Sequence, residues 1–335
     1  MKSVHHPKLT SAEVSNLWTT FHASTMIKCG LTYFLATVED PDIQSVLEYT
    51  LEFTEKRIQT ITRIFQEEKY PVPVGFTDDD VNKEAPRLFS DALILLYMLN
   101  MGRLSLTGES ILYGVSARDD IAAFYYQCLE EMKELTNRAR KVALDKGVLL
   151  RYPYLPTPQR VDFVKDQSFL TGWLGERRPL LGIEITNLVF NAERNALGEA
   201  VIIGFSQAVE SKEIAKYMKR GKQISAKHFK VFSSVLHEEN LSSAKNLTSE
   251  VTDSTVPPFS DKLMMFHISG LVASGIAQYG TTMSTSPRRD LGLLYARLTS
   301  EIAMYSEDGA NIMINKGWME QPPQAADRGE LVKKK

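Results

Sequence analysis

FSDALILLY occupies Phe89–Tyr97, and FSDKLMMFH occupies Phe259–His267. The pair decides the fold, because the likeness extends far on either side. LTSAEVSNLW (Leu9–Trp18) aligns with LLGIEITNLV (Leu180–Val189), an offset of about 171 that also sets Glu39, Ile43 and Ile61 against Glu210, Ile214 and Phe232. At the FSD strings the offset falls to 170, and it then matches SARDDIAAFYYQ (Ser116–Gln127) to SPRRDLGLLYAR (Ser286–Arg297) and DKGV (Asp145–Val148) to NKGW (Asn315–Trp318). Register held over so long a span means duplication of a whole domain. With two copies and no short period, it is not a solenoid.

Within each copy the apolar period is helical. Leu291, Leu294, Leu298, Ile302, Tyr305 and Ile312 recur at steps of three, four and seven, which places them on one stripe of a helix. The spacing predicts helices over 11–37, 41–68, 90–108 and 117–146, and again over 182–209, 211–239, 260–285 and 287–316. Ser90 and Ser260 read as N-caps, with Asp91 and Asp261 in the first turn where the helix dipole favours a negative charge. Ser116, and Ser286 with Pro287, read as helix starts. Gly147 and Gly317 read as left-handed stops.

Four amphipathic helices per copy predict an all-α chain of two tandem four-helix bundles. The first and second helices are joined tightly at Glu39-Asp40-Pro41 and Glu210-Ser211, so they are antiparallel neighbours. About 20 residues of turn-rich chain separate the second helix from the third, long enough to cross a helix of roughly 42 Å. A long crossover there gives a ferritin-like up-down topology. The expected division is residues 1–150 for the first bundle, 151–181 for a docked Pro/aromatic linker, 182–320 for the second bundle and 321–335 for a disordered tail. Each bundle is expected to bury its own apolar faces. In the linker, Phe163, Phe169 and Trp173 are too apolar to favour water, so it should lie between the bundles.

The 335 residues carry 39 basic and 41 acidic side chains, a net charge of -2, which gives no positive field to gather nucleic acid. Cys29 and Cys128 form neither a disulfide framework nor a zinc spacing and read as buried and reduced. The start MKSVHHPKLT lacks an apolar leader, and no run is long enough to span a bilayer, so a cytoplasmic location is expected.

APRLFSDALILLY, EVTDSTVPPFSDKLMMFH, RRDLGLLYARLTSEIAMYSEDGANIMINKGWMEQPPQA and the linker RVDFVKDQSF resemble the family of domain of unknown function 3231 (DUF3231), from spore-forming bacteria. The likeness runs from Leu9 to about Glu330. It implies a ferritin-like bundle duplicated in tandem, loosely related to spore coat proteins of the CotF type, and it brings no established activity. It also implies a histidine in both second helices, as EKHI and KKHI. This chain has AKHF at His228 but EKRI at Arg57.

A di-iron carboxylate site needs Glu-x-x-His pairs on facing helices, and none is present: Ser225 stands three before His228, and Thr54 three before Arg57. No P-loop, G-x-S-x-G or G-x-G-x-x-G appears. His5, His6, His22 and His237 read as solvated and His267 as a rim residue. His228 lies within roughly 40° of the stripe of Ile214, Gly221 and Phe232, so it points inward, and Arg57 inherits that place. An inward arginine needs a carboxylate, for which Glu131 is the partner expected, with Glu13 and Glu184 as alternatives. The second bundle is expected to hold His228 and Glu301 in a polar pocket with Tyr305, Asn191, Asn195 and Glu184. Two functions follow. The first is a structural or interaction protein, spore-associated and able to bind itself or a protein partner. The alternative is a bundle binding a small molecule or a metal ion at His228 and Glu301. An enzymatic role stays open.

Overall fold

The computed structural model describes residues 7–172 and 177–333. Eight long helices carry the chain: α1 (Ser11–Thr37), α2 (Pro41–Glu67), α3 (Asp91–Gly114), α4 (Asp119–Asp145), α5 (Gly182–Ala208), α6 (Lys212–Glu238), α7 (Asp261–Ser284) and α8 (Arg289–Asn315). A short α9 (Arg328–Lys333) follows. The protein is all-α, two bundles in tandem, and each half repeats helix lengths of 27, 27, 24 and 27 residues. In both halves the first helix packs on the second and the third on the fourth.

Local chemistry explains most helix ends. Thr10 and Glu13 form a capping box on α1, and Asp40 caps α2 ahead of Pro41 at its first position. Gly147 and Gly317 stop α4 and α8 at φ of 69° and 66°, a conformation open to glycine at no steric cost. Three ends differ from the sequence expectation. Helix α3 continues past residue 108 to Gly114, because an interior glycine costs only about 1 kcal/mol and α3 is packed along α4. Helices α4 and α8 begin at Asp119 and Arg289, after the serines expected to start them, because a buried glutamate from α1 or α5 supplies the cap instead. Glu13 accepts from the N–H groups of Ala117 (2.9 Å) and Arg118 (2.7 Å), and Glu184 accepts from that of Arg288 (3.2 Å).

Each FSD string is a knot between the halves. Phe89 bridges to Val251 and Phe259 to Val81, so the two crossovers run antiparallel against one another. Ser90 N donates to Glu250 O (2.9 Å) and Thr252 N to Leu88 O (3.0 Å); Ser260 N donates to Asp80 O (3.0 Å) and Asn82 N to Pro258 O (2.8 Å). The serine hydroxyls cap their own helices by accepting from Leu93 and Leu263 N–H. Asp91 accepts from the N–H groups of Glu39 and Asp40, and Asp261 from those of Glu210 and Ser211, which ties the third helix to the turn before the second.

The apolar core does not stop at the boundary between the bundles. Tyr33, Phe34, Phe89 and Met98 of the first half belong to one buried cluster with Val201, Phe205, Phe259 and Met264 of the second. The halves therefore share a core, where the sequence suggested that each would close its own. The chain also exchanges its extensions. Leu150 and Tyr152, leaving the first bundle, pack on the core of the second. Glu320, leaving the second, accepts from Val74 N (3.0 Å) and Gly75 N (2.8 Å) in the first crossover.

The linker departs from a docked strap. Phe169 is half-buried under the Arg178 guanidinium at 4.3 Å, but Tyr154, Val161 and Phe163 are 81%, 86% and 81% exposed. Trp173 lies outside the described residues. The segment after 320 is not uniformly irregular, since Leu331 N donates to Asp327 O at the start of α9.

Candidate functional site

Three equivalent positions, one on each of three helices, form a polar cluster inside each bundle. In the first they are Arg57 of α2, Glu109 of α3 and Glu131 of α4. In the second, the same offsets give His228 of α6, Tyr279 of α7 and Glu301 of α8. Arg57 is 8% exposed and donates through Nε to Glu131 (2.7 Å), Nη1 to Glu109 (3.0 Å) and Nη2 to the Cys128 carbonyl (2.8 Å). Phe53 stacks below the guanidinium at 4.8 Å. Burial pushes the Glu109 carboxyl up while Arg57 opposes the shift.

His228 is fully buried, with Nδ1 at 3.0 Å from the Tyr279 hydroxyl and Nε2 at 3.1 Å from Glu301 Oε2. Burial lowers the His228 pKa, and Glu301 works against that shift. The Glu301 carboxyl lies below its ordinary value: burial raises it, and Lys227 and His228 outweigh burial. A carboxylate only accepts, so the neutral imidazole carries its proton on Nε2 and accepts at Nδ1 from Tyr279. The Tyr279 oxygen in turn accepts from Asn195 Nδ2 at 2.8 Å. The hydrogen bonds thus run one way, Asn195 to Tyr279 to His228 to Glu301, and end at the Glu301 carboxylate, which also accepts from Lys227 at 2.8 Å.

The other residues expected in this pocket go elsewhere. Asn191 donates to Thr282 Oγ1 (3.1 Å) and the Asn187 carbonyl (2.9 Å). Glu184 sits at the start of α5 and takes a bidentate grip from Arg178 at 2.8 and 2.9 Å. Tyr305 stacks on Tyr217 with centroids 4.2 Å apart, and each hydroxyl donates to the other residue's carbonyl. That clasp requires Gly221 and Gly309, since a Cβ at either would collide with the facing hydroxyl. Glu109 and Tyr279 were missed by reading helices two and four alone; carrying the offset of 170 into the third helix pairs them.

Beside Tyr279 lies a cavity of ≈ 80 Å³, which Arg194, Asn195, Gly198, Gly221, Gly275 and Tyr305 help to line. Two histidines taken as solvated or at a rim are enclosed. His22 is 4% exposed and lies against Trp18 and Phe266. His267 Nε2 meets the Tyr97 hydroxyl at 2.8 Å between the bundles, where burial pushes its pKa down to about 4. A stripe-edge position is half-buried here because the other bundle packs against it.

Among the described residues, no three His, Cys, Asp or Glu side chains are grouped to hold a metal ion. Both nitrogens of His228 are engaged in hydrogen bonds. No helix among them is long and apolar enough to cross a membrane.

The profile of a family described as a protein of unknown function, DUF3231, matches residues 2–161 and again 168–331. This chain belongs to that family. The two matches are the two halves of the duplication, so the DUF3231 unit is one bundle with the extension that follows it. Among curated proteins none matches the chain. Among solved structures, it is similar to a candidate spore coat protein from Bacillus halodurans, at 16% identity and a TM-score of 0.42, over 45% of this chain and 98% of that one.

Proposed function

We propose that this DUF3231 protein is a non-catalytic interaction protein that associates with further copies of itself. The observation that carries this is the linker, where Tyr154, Val161 and Phe163 stand in water on a body made rigid by the shared core. Exposed apolar side chains so close in sequence are the ordinary mark of a contact surface. The buried reactive groups point the same way. Burial pushes the Cys29 thiol up to about 12 and the Cys128 thiol up as well, so neither supplies a thiolate at neutral pH. His228 and His267, both with lowered pKa, are held by tyrosines rather than presented to solvent as bases. A ferritin-like topology belongs to the same reading and is supported by the order of hairpin, long crossover and hairpin. So do a cytoplasmic origin and association with the spore, which rest on the family resemblance.

Sedimentation velocity on the full chain tests the proposal. Wild type is expected to form dimers or larger species in the micromolar range, and the triple variant Tyr154→Ser, Val161→Ser, Phe163→Ser to sediment as a monomer. A wild type monomeric throughout that range overturns it. Fractionation of spores and mother-cell cytoplasm with an antibody to the protein tests the location.

A further inference from the structure

Arg194, on α5, has no carboxylate within ion-pair distance among the described residues. Nη2 donates to Ser274 Oγ at 2.8 Å and Nη1 to the Ser274 carbonyl at 3.3 Å, both neutral acceptors, and Nε is buried with no partner. The nearest acid in sequence, Glu193, is taken by Arg103 at 3.1 Å. The side chain is half-buried with its Nε shielded, and desolvation lowers its pKa to about 10, so it stays charged at pH 7. Leaving such a charge uncompensated is costly, and cores do not ordinarily keep one.

The cost falls where there is room for a ligand. Arg194 lines the cavity of ≈ 80 Å³, together with the end of the hydrogen-bond chain at Asn195 and Tyr279. Comparison of the two copies shows how that space arises. Where the first bundle has Ala23, Ile27 and Thr50, the second has Arg194, Gly198 and Gly221. One substitution installs the cation and Gly198 removes a side chain from the lining, while Gly221 makes way for the Tyr305 hydroxyl. These changes are confined to the second copy. The rest of the wall is largely aliphatic, with Leu197, Ile224 and Ile302 among it.

We infer that this cavity is a binding site for a small organic anion, a short-chain monocarboxylate, whose carboxylate pairs with Arg194 and whose alkyl part lies against the aliphatic wall. Guanidinium and carboxylate match in geometry, and Nη1 and Nη2 each keep a second N–H beyond the one given to Ser274. The cavity is small, so the class is probed with a short-chain member, butyrate. The aliphatic wall favours a carboxylate with an alkyl chain over inorganic phosphate.

The test uses the full-length protein and three probes at matched ionic strength: butyrate, its neutral isostere butyramide, and inorganic phosphate, each followed by calorimetric titration and thermal melting. Butyrate is expected to bind saturably and raise Tm, with butyramide at least tenfold weaker. Arg194→Met keeps the length of the side chain without its charge, and it should lose butyrate binding at least tenfold while melting no lower than unliganded wild type. Equal binding of butyrate and butyramide overturns the inference, as does butyrate failing to bind or binding undiminished to Arg194→Met. Phosphate binding tighter than butyrate would assign the charge site to an inorganic oxyanion and overturn the monocarboxylate. The comparison of butyrate with butyramide on wild type decides the matter even if the variant does not fold.

Discussion

The hydroxyl of Ser90 donates to the Glu250 carboxylate at 2.7 Å, from the start of α3 in one bundle to the crossover of the other. Ser260 repeats the contact with Asp80 at 2.6 Å in the opposite direction. Each serine therefore caps its own helix and holds the other half in the same gesture. Replacing both with alanine removes two caps, each typically about 1 kcal/mol, along with the two bonds across the boundary. Chemical denaturation of Ser90→Ala/Ser260→Ala should show a loss of about 2–4 kcal/mol, above that of two ordinary caps. A loss below about 1 kcal/mol would mean that neither hydroxyl matters.

The shared core makes the halves dependent on each other. Residues 1–172 and 177–335 produced as separate chains in one cell are expected to copurify one to one, because each exposes Phe89 and Tyr33, or Phe205 and Phe259, when alone. Either half made by itself should aggregate or self-pair. Two stable, soluble monomers that ignore each other would contradict the continuous core.

The polar positions changed together between the copies, as Arg57 with Glu109 and His228 with Tyr279. Breaking one member should hurt more than converting both. Arg57→Ala strands the Glu109 and Glu131 carboxylates and should cost about 3–5 kcal/mol. Arg57→His combined with Glu109→Tyr rebuilds the arrangement of the second bundle and should recover at least about 1 kcal/mol in a double-mutant cycle. Additive losses would show that the pair is not coupled.

Acid should act first through the histidines. His22, His228 and His267 all lie below the usual 6.5 because burial disfavours their charged forms. The unfolded chain thus binds more protons than the folded one, from about pH 6.5 down toward the value of about 4 at His267. Stability from these groups is complete above pH 6.5 and lost as pH falls. Glu13 and Glu184, held below their ordinary values, withdraw their share only at lower pH. Tm should fall steadily between pH 6.5 and 4.5, and His267→Gln should flatten part of that slope. A Tm constant over this window would refute the assignment.

The repeat, the eight long helices and most of their ends are legible in residues a few positions apart, because helical period, caps and glycine stops are local properties. Arg57 and Glu131 could be paired on helical wheels, since both lie inside the stripes of neighbouring helices. Glu109 and Tyr279 escaped because the third helices are apolar on most sides and show no narrow stripe. The enclosure of His267 also escaped, since a residue at the edge of its stripe is buried or wet according to whether another bundle covers it. Arg194 is the clearest case. In the sequence it is one more cation beside Glu193, and only packing shows that Glu193 turns to Arg103 while Arg194 is left facing a cavity. Local sequence settles which elements form and where they stop. The tertiary structure decides which charges meet, because pairing depends on how helices far apart in the chain are brought together.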